Sequence, residues 1–395
     1  MTHNDPAYDL RKILEAMELE LVKSLKRNLK RHEKEEEKEG FRWEMWQRAK
    51  LRNLRRYQKE NRRIVGGISP EVERVVNEAL ETSYENGQNL FTRVFDRIKS
   101  LLFRRKRIGF PKNQSAKNLE SPVLPEKQFF GLNEKKLRAM QKSVSDDVEK
   151  AEHAVLRRMD DVYRRTIYNA QVQLGAGAKT LDQAIDAAVH DFLQKGIDCI
   201  QYKNGRRVNI ASYAEMALRT ASHRAMLLGE GAKRDEWGIH TVVVSAHANT
   251  CPLCEPWQGK VLVDDVFSHG TKEEAESMGL PLLSEAIDAG LLHPNCRHTI
   301  ATYFPGITRT PKIPDGKAAV EMYEIEQRQR GYERQIRRWK RIAAGCTDPQ
   351  NVERANKKVQ EYQKAITDLV NQHDNLRRNY RREKNYFEGG ESGGM

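Results

Sequence analysis

Residues 239–265 read IHTVVVSAHANTCPLCEPWQGKVLVDD, and the organisation of the chain is read outward from this stretch. It opens on the β-branched run IHTVVVSAH, whose side chains suit the pleated, buried surface of a strand. The run leads into C-x2-C at Cys251 and Cys254, and a second cluster, H-x2-C-x-H at His293, Cys296 and His298, follows in GLLHPNCRHTIATYFPG. A tight C-x-x-C turn can present two thiolates to one ion, and a second knuckle closes the tetrahedron. Two short loops therefore hold more donors than a structural zinc needs. Cys251, Cys254, Cys296 and His298 are the expected ligands, with His293 and His247 as neighbouring or alternative ones. The other reading is metal-free, with reduced cysteines and hydrogen-bonded histidines knitting the loops together. Of the five cysteines, at 199, 251, 254, 296 and 346, three cluster with histidines, which suggests a metal site in a reducing compartment more than a disulfide framework.

Just upstream, IDCIQYKNGRRVNI reads as two short strands joined at Asn204-Gly205, a strong hairpin signal. The helix ASYAEMALRTASHRAMLLGEGAKRDEWG follows, so residues 196–306 alternate hairpin, helix, strand and Cys/His loop. On that helix Arg219, His223 and Met226 share a face. Arg219, like Arg297 in the second loop, is a candidate structural brace, and anion binding is the other reading of Arg219. From 133 to about 195 the pattern is helical: Leu137, Met140, Val144 and Val148 form a face that Val155, Met159, Val162 and Ile167 continue. This helix should stop near Leu174, where GAGA follows. Thr180 and Gln183 have the spacing of a capping box for a second helix ending at Gly196.

The two ends of the chain read as long, mainly helical, basic arms. Leu10, Leu14, Met17, Leu21, Leu25 and Leu29 step by three or four and make one apolar stripe. The charged run HEKEEEKEG, an aromatic cluster of Phe41, Trp43 and Trp46, and the basic stretch RAKLRNLRRYQKENRRIV come next. A partner-binding helix and a helical hairpin are both open there, and its cations read as a solvated face or a nucleic-acid contact. The patch Arg104, Arg105, Lys106 and Arg107 is a candidate nucleic-acid contact, or an ordinary basic helix end. After Pro311-Lys-Ile-Pro314 basic helices return, broken at Asp348-Pro349. The expected organisation is a helical N-terminal region at 1–107, a linker at 108–132, a core domain at 133–310, a basic helical or coiled region at 311–388 and a flexible tail at 389–395. The fold class is α+β: a small central α+β domain with a Cys/His loop cluster, flanked by the helical arms.

Composition supports this picture. Charged residues make up 32% and hydrophobic ones 38%, below the roughly 45–50% usual in globular domains, and the formal net charge is +13. A basic surface favours phosphate-rich or acidic partners. Neither a membrane span nor a secretory signal is read in the sequence. Catalytic signatures fail on inspection: His247 is followed by Ala248-Asn249, so the zinc-deaminase glutamate is missing, and zincin, nucleophile-elbow and P-loop motifs are not found. A metal-dependent enzyme acting on nucleic acid or nucleotide is the alternative, and its only local carboxylate candidates are Glu255, Asp264 and Asp265. A nucleic-acid-binding zinc protein would use Trp257 with Lys260, or Tyr57 with Arg55 and Arg56, as stacking and charge pairs.

Five stretches, DDVYRRTI, GIDCIQYKNGRRVNIASYAEMALRT, VVVSAHANTCPLCEPWQGKV, GLLHPNCRHTI and YEIEQRQRGYERQIRRWKR, resemble the phage minor capsid protein 2 family, among phage head-morphogenesis proteins. The resemblance covers residues 155–345. It implies a structural, non-enzymatic component of the bacteriophage head, assembled in the host cytoplasm and carried in the virion. Implied partners are portal and capsid proteins and packaged DNA, with no membrane and no small-molecule substrate; a structural zinc is the one cofactor expected.

Overall fold

The computed structural model describes residues 5–39, 43–106, 128–175, 189–190, 193, 197–201, 207–346 and 348–385. Its helices are α1 (Pro6–Glu39), α2 (Trp43–Lys106), α3 (Gln128–Gly175), α4 (Ile210–Glu236), α5 (Lys272–Met278), α6 (Leu283–Asp288), α7 (Gly316–Gly345) and α8 (Pro349–Asn371). The strands are β1 (Asp198–Gln201), β2 (Arg207–Asn209), β3 (Thr241–Val244), β4 (Val261–Val263) and β5 (Ile300–Thr302). The fold is thus mostly helical, with a small three-stranded antiparallel sheet of order β4-β3-β5 and a separate antiparallel pair β1-β2. Among the described residues no helix is long and apolar enough to cross a membrane.

Two compact units divide the chain, and α2, α3, α4 and α7 contribute residues to both. The first comprises Met1–Val75, Asp146–Glu215 and Glu326–Met395. It answers the question that periodicity left open: the stripe of α1 is covered by the protein itself. Leu10, Leu14, Met17, Leu21, Leu25 and Leu29 are all buried, each such side chain contributing about 1.5–3 kcal/mol of transfer free energy. α1 and α2 form a helical hairpin in which the Ser24 hydroxyl donates to Asn61 Oδ1 at 2.9 Å and the Asn28 amide donates to Glu60 at 2.8 Å. The C-terminal segment closes on the same helix. The Tyr8 hydroxyl donates to the Arg381 carbonyl at 2.7 Å, and Lys26 donates to the Gly345 carbonyl. The terminal helices expected as flanking arms are therefore packed against one another here. An apolar stripe tells that a face is covered and not by what, which is why the sequence left this open. α8 starts as expected at the Asp348-Pro349 break, with Asp348 accepting from the Gln350 amide at 2.9 Å and proline at the first helical position. Ile336, Val359 and Ile366 join α7 to α8.

The second unit comprises Val76–Ser145 and Met216–Ile325. Phe91, Phe95 and Phe304 form its aromatic core, with Trp237 and Ile239 packed against it. α2 and α4 meet at two glycines: a Cβ at Gly87 would overlap the Met226 carbonyl, and one at Gly229 would overlap the Tyr84 carbonyl. The two backbones thus touch where any side chain would hold them apart.

Several expectations fall outside the described residues: residues 108–127 of the linker, Arg107, the Thr180 cap, the Asn204-Gly205 turn and the tail. The flanking strands β1 and β2 pair as a hairpin requires, with Ile200 opposite Val208.

Gly87→Ala and Gly229→Ala should each destabilise the protein by about 1–3 kcal/mol through overpacking. Gly66→Ala, where a Cβ would meet nothing within 4 Å, should instead stabilise it by about 1 kcal/mol. Urea titrations of the three variants check the contrast, and a neutral Gly87→Ala would show that the helices can move apart freely.

Candidate metal centre

β3 lies in the middle of the small sheet, and both Cys/His loops are anchored to it. Its fully buried Thr-Val-Val-Val run pairs with β4 on one side and β5 on the other, with Val244 opposite Ile300. The ladder continues one step past the strands: the Ser245 amide donates to the Thr299 carbonyl at 2.9 Å, and the Thr299 amide donates to Ser245 Oγ at 3.0 Å. The loop that leaves β3 and the loop that enters β5 are therefore side by side. Each folds into a tight turn, with the Cys254 amide donating to the Cys251 carbonyl at 3.1 Å and the Cys296 amide to the His293 carbonyl at 2.8 Å. The second turn needs left-handed backbone at Asn295 (φ 62°), a conformation asparagine adopts more readily than most residues. α4 steadies it through Thr220, whose hydroxyl accepts from the Asn295 amide at 3.3 Å.

The five donors gather into two trios that share one sulfur: Cys251, Cys254 and His293, and Cys254, Cys296 and His298, with ligand atoms inside each trio within 4.8 Å of one another. The individual approaches are close. Cys254 Sγ lies 3.6 Å from Cys296 Sγ, Cys296 Sγ 3.6 Å from His298 Nδ1, and Cys251 Sγ 3.1 Å from His293 Nε2. Sulfurs bound to one tetrahedral zinc at 2.3 Å stand roughly 3.8 Å apart, so this spacing fits a shared ion. Of the four expected ligands, three form one trio, and Cys251 joins it only through Cys254.

Hydrogen bonds hold the orientation of both histidines. His293 Nδ1 faces the Pro294 carbonyl at 2.9 Å, and a carbonyl can only accept, so Nδ1 carries a proton while Nε2 faces Cys251. Gln258 Oε1 accepts from the His247 amide at 2.5 Å and lies 3.3 Å from His298 Nε2, which the Thr250 hydroxyl also meets at 3.2 Å, so the far side of this ring is held while Nδ1 faces Cys296. A ring held by its remote N–H is the usual state of a metal-ligating histidine. The thiols are prepared as well. The Cys254 thiol, followed by His298, pulls Cys296 down, while the Cys296 sulfur and burial push Cys254 up. His247 stands edge-on to His298 at 4.8 Å between ring centroids, and its Nε2 is 2.9 Å from Ser245 Oγ. It joins neither trio.

No carboxylate belongs to either group among the described residues. Asp264 is fully buried and bound to Arg234 at 2.5 Å, also accepting the amides of Val266 and Phe267. Asp265 accepts from the Ser284 amide and hydroxyl at 2.9 and 2.5 Å. Both are occupied in shaping the turn after β4. Arg234 is thus a buried brace on α4 that the sequence reading missed. Arg219, the brace expected there, is exposed, as is Arg297. Arg234 lies fifteen residues beyond Arg219, on an apolar helix face where periodicity would place a hydrophobe. Of the stacking candidates, Lys260 Nζ does sit over the Trp257 ring at 4.8 Å. Tyr57 is buried and stacked on Tyr163 at 4.6 Å, which removes it from any role in binding bases.

The sequence matches the family model described as phage minor capsid protein 2 over residues 7–371. It is 27% identical over 233 residues to a structural protein of Lactococcus phage LL-H, covering 57% of this chain and 62% of that protein. It is 39% identical over 100 residues to a structural protein of Lactococcus phage mv4, covering 24% of this chain and 81% of that one. The chain thus spans less than two thirds of the LL-H protein's length. No solved structure matches.

The Arg234 brace carries a pH signature. Burial first, and Asp264 nearby, push the Glu230 carboxyl up to about 7 against the pull of Arg234. A carboxyl whose folded pKa lies above its unfolded value stabilises the fold fully below the unfolded pKa, near 4.5, and this contribution is lost as pH rises through about 7. Glu230→Gln should therefore gain stability relative to the parent between pH 5 and pH 8. Denaturation midpoints of both proteins across that range test it, and parallel curves would mean that Glu230 ionises freely.

Proposed function

Because the chain belongs to the phage minor capsid protein 2 family, we propose that it acts in head morphogenesis at the portal vertex, touching portal and capsid proteins and lying close to packaged DNA. It is a component of the virion head. The observation that carries the reading is the family match, which runs through both compact units and the Cys/His loops alike. The net charge of +13 suits a protein working beside DNA, and a structural, non-enzymatic role is consistent with Asp264 and Asp265 being bound into a turn. Cryo-electron tomography of heads carrying a tagged copy tests the location. Density at a single vertex is expected; tag density distributed over all vertices, or none in the virion, would overturn it.

In the same reading the Cys/His loops hold a structural zinc. Cys251, Cys254, Cys296 and His298 are its ligands, and the ion ties the loop leaving β3 to the loop entering β5. His298 is favoured over His293 as the imidazole because it is buried and clamped at Nε2, whereas His293 remains partly exposed. A structural site of this kind is saturated by four protein ligands and contributes directly to folding. Elemental analysis of the purified full-length chain should find about one zinc per chain. Cys254→Ser should lose both the metal and the thermal transition of the parent. His298→Ala should lose more metal than His293→Ala, and the reverse order would exchange the two histidines' roles. Metal-free protein with an unchanged transition would leave the loops as metal-free architecture.

A further inference from the structure

Within the first unit, α2 and α3 run antiparallel. Gln58 Nε2 donates to Asp160 at 2.6 Å and Ser69 Oγ to Glu152 at 2.8 Å. Between these two contacts the helices leave an open groove of about 530 Å³, lined among others by Gln58, Arg62, Lys150, His153, Arg157 and Asp160. The register set by the flanking hydrogen bonds places Arg62 on α2 opposite Arg157 on α3. Both are exposed, and neither makes an ion pair or hydrogen bond among the described residues. Two like charges facing each other across a groove repel, and an anion between them relieves the repulsion.

The surroundings extend this feature along the helix. From Arg52 to Arg63, α2 carries six cations, Arg52, Arg55, Arg56, Lys59, Arg62 and Arg63, and all six are exposed. The one acid in that stretch, Glu60, is turned to α1, where Arg27 and Asn28 hold it. One turn beyond Arg62 the helix has Gly66 and Gly67, at which a Cβ would meet nothing within 4 Å. Packing does not account for glycine at these positions, each of which costs a helix about 1 kcal/mol relative to alanine. Their effect is to lower the helix surface beside the groove, so that a bulky ligand can come close to the backbone. None of the lining residues is phenylalanine, tyrosine or tryptophan, and the nearby Tyr57 and Tyr163 are buried against each other.

The geometry points to a binding site for the phosphodiester backbone of duplex DNA in this groove, with Arg62 and Arg157 as its opposed phosphate contacts. Cations without stacking rings hold phosphates and leave bases unread, so binding is independent of sequence and falls steeply with salt. The site deepens the proposed placement beside packaged DNA and rests on that reading for its ligand in the phage. Binding itself is measured without reference to the vertex.

Fluorescence anisotropy of a short labelled duplex titrated with the full-length chain, at several sodium chloride concentrations, provides the test. Arg62→Gln/Arg157→Gln should weaken binding about tenfold at moderate salt and lower the log–log salt slope by about 2, one for each lost phosphate contact. The double variant Arg354→Gln/Lys357→Gln on α8 removes the same charge from exposed positions elsewhere in the unit and should stay within about twofold of the parent. Circular dichroism verifies that each variant is folded, and the single variant Arg62→Gln replaces the double one if that unfolds. The groove assignment is overturned if its variant binds like the parent, if the α8 variant loses as much, or if the parent does not bind duplex. Tighter binding of a single strand of equal length would overturn the choice of duplex. None of these outcomes bears on the location in the head, which the tomography decides separately.

Discussion

The register between β3 and β5 is the constraint on which the candidate centre depends. Val244 opposite Ile300, prolonged by the reciprocal Ser245–Thr299 hydrogen bonds, places two loops from distant parts of the chain in one neighbourhood. A slip of one residue would turn the alternate side chains of β5 to the opposite face and separate Cys254 from Cys296. The sheet is only three strands wide, so it has few ladder bonds to fix that register. A bond between the loops through an ion, or through the sulfur and imidazole contacts alone, reinforces it from the other end.

Behind the sheet, α4 acts as a frame. Arg234 reaches Asp264 at the end of β4, Thr220 receives the Asn295 amide in the second loop, and Gly229 permits the close crossing with α2. One helix thereby fixes the turn after β4, the second Cys/His turn and the distance to α2. A buried ion pair such as Arg234–Asp264 contributes less to net stability than to determining which arrangement forms, because desolvation offsets most of the attraction, whereas removal of one partner leaves an uncompensated charge.

Much of this was legible in the sequence, for identifiable reasons. The stripe from Leu10 to Leu29, the β-branched run at 241–244 and the Asp348-Pro349 break are local signals, and each corresponds to an element in the structure. The two clusters of metal-type donors were legible as clusters because cysteine and histidine are scarce enough for their spacing to carry information. What covers the α1 stripe was not legible, since α2 shares that role with a segment at the other end of the chain. The buried Arg234 was missed because an arginine in a helix reads as solvated unless its partner is known, and Asp264 belongs to a different element. The division of the donors into two trios about Cys254 likewise depends on how the turns are oriented, which spacing does not encode.

The crossing of α2 and α4 at Gly87 and Gly229 also bears on how such a chain can change over generations. Each glycine sits against the backbone of the other helix, so a larger residue at either position encounters carbonyl oxygen that no rotamer change can clear. Substitution at one is not rescued by trimming the other, because both are already at the minimum size. The only route by which either drifts is a coordinated displacement of whole helices, with the loops that α4 carries moving too. The two positions therefore answer to one shared distance between backbones, although they lie far apart in the chain.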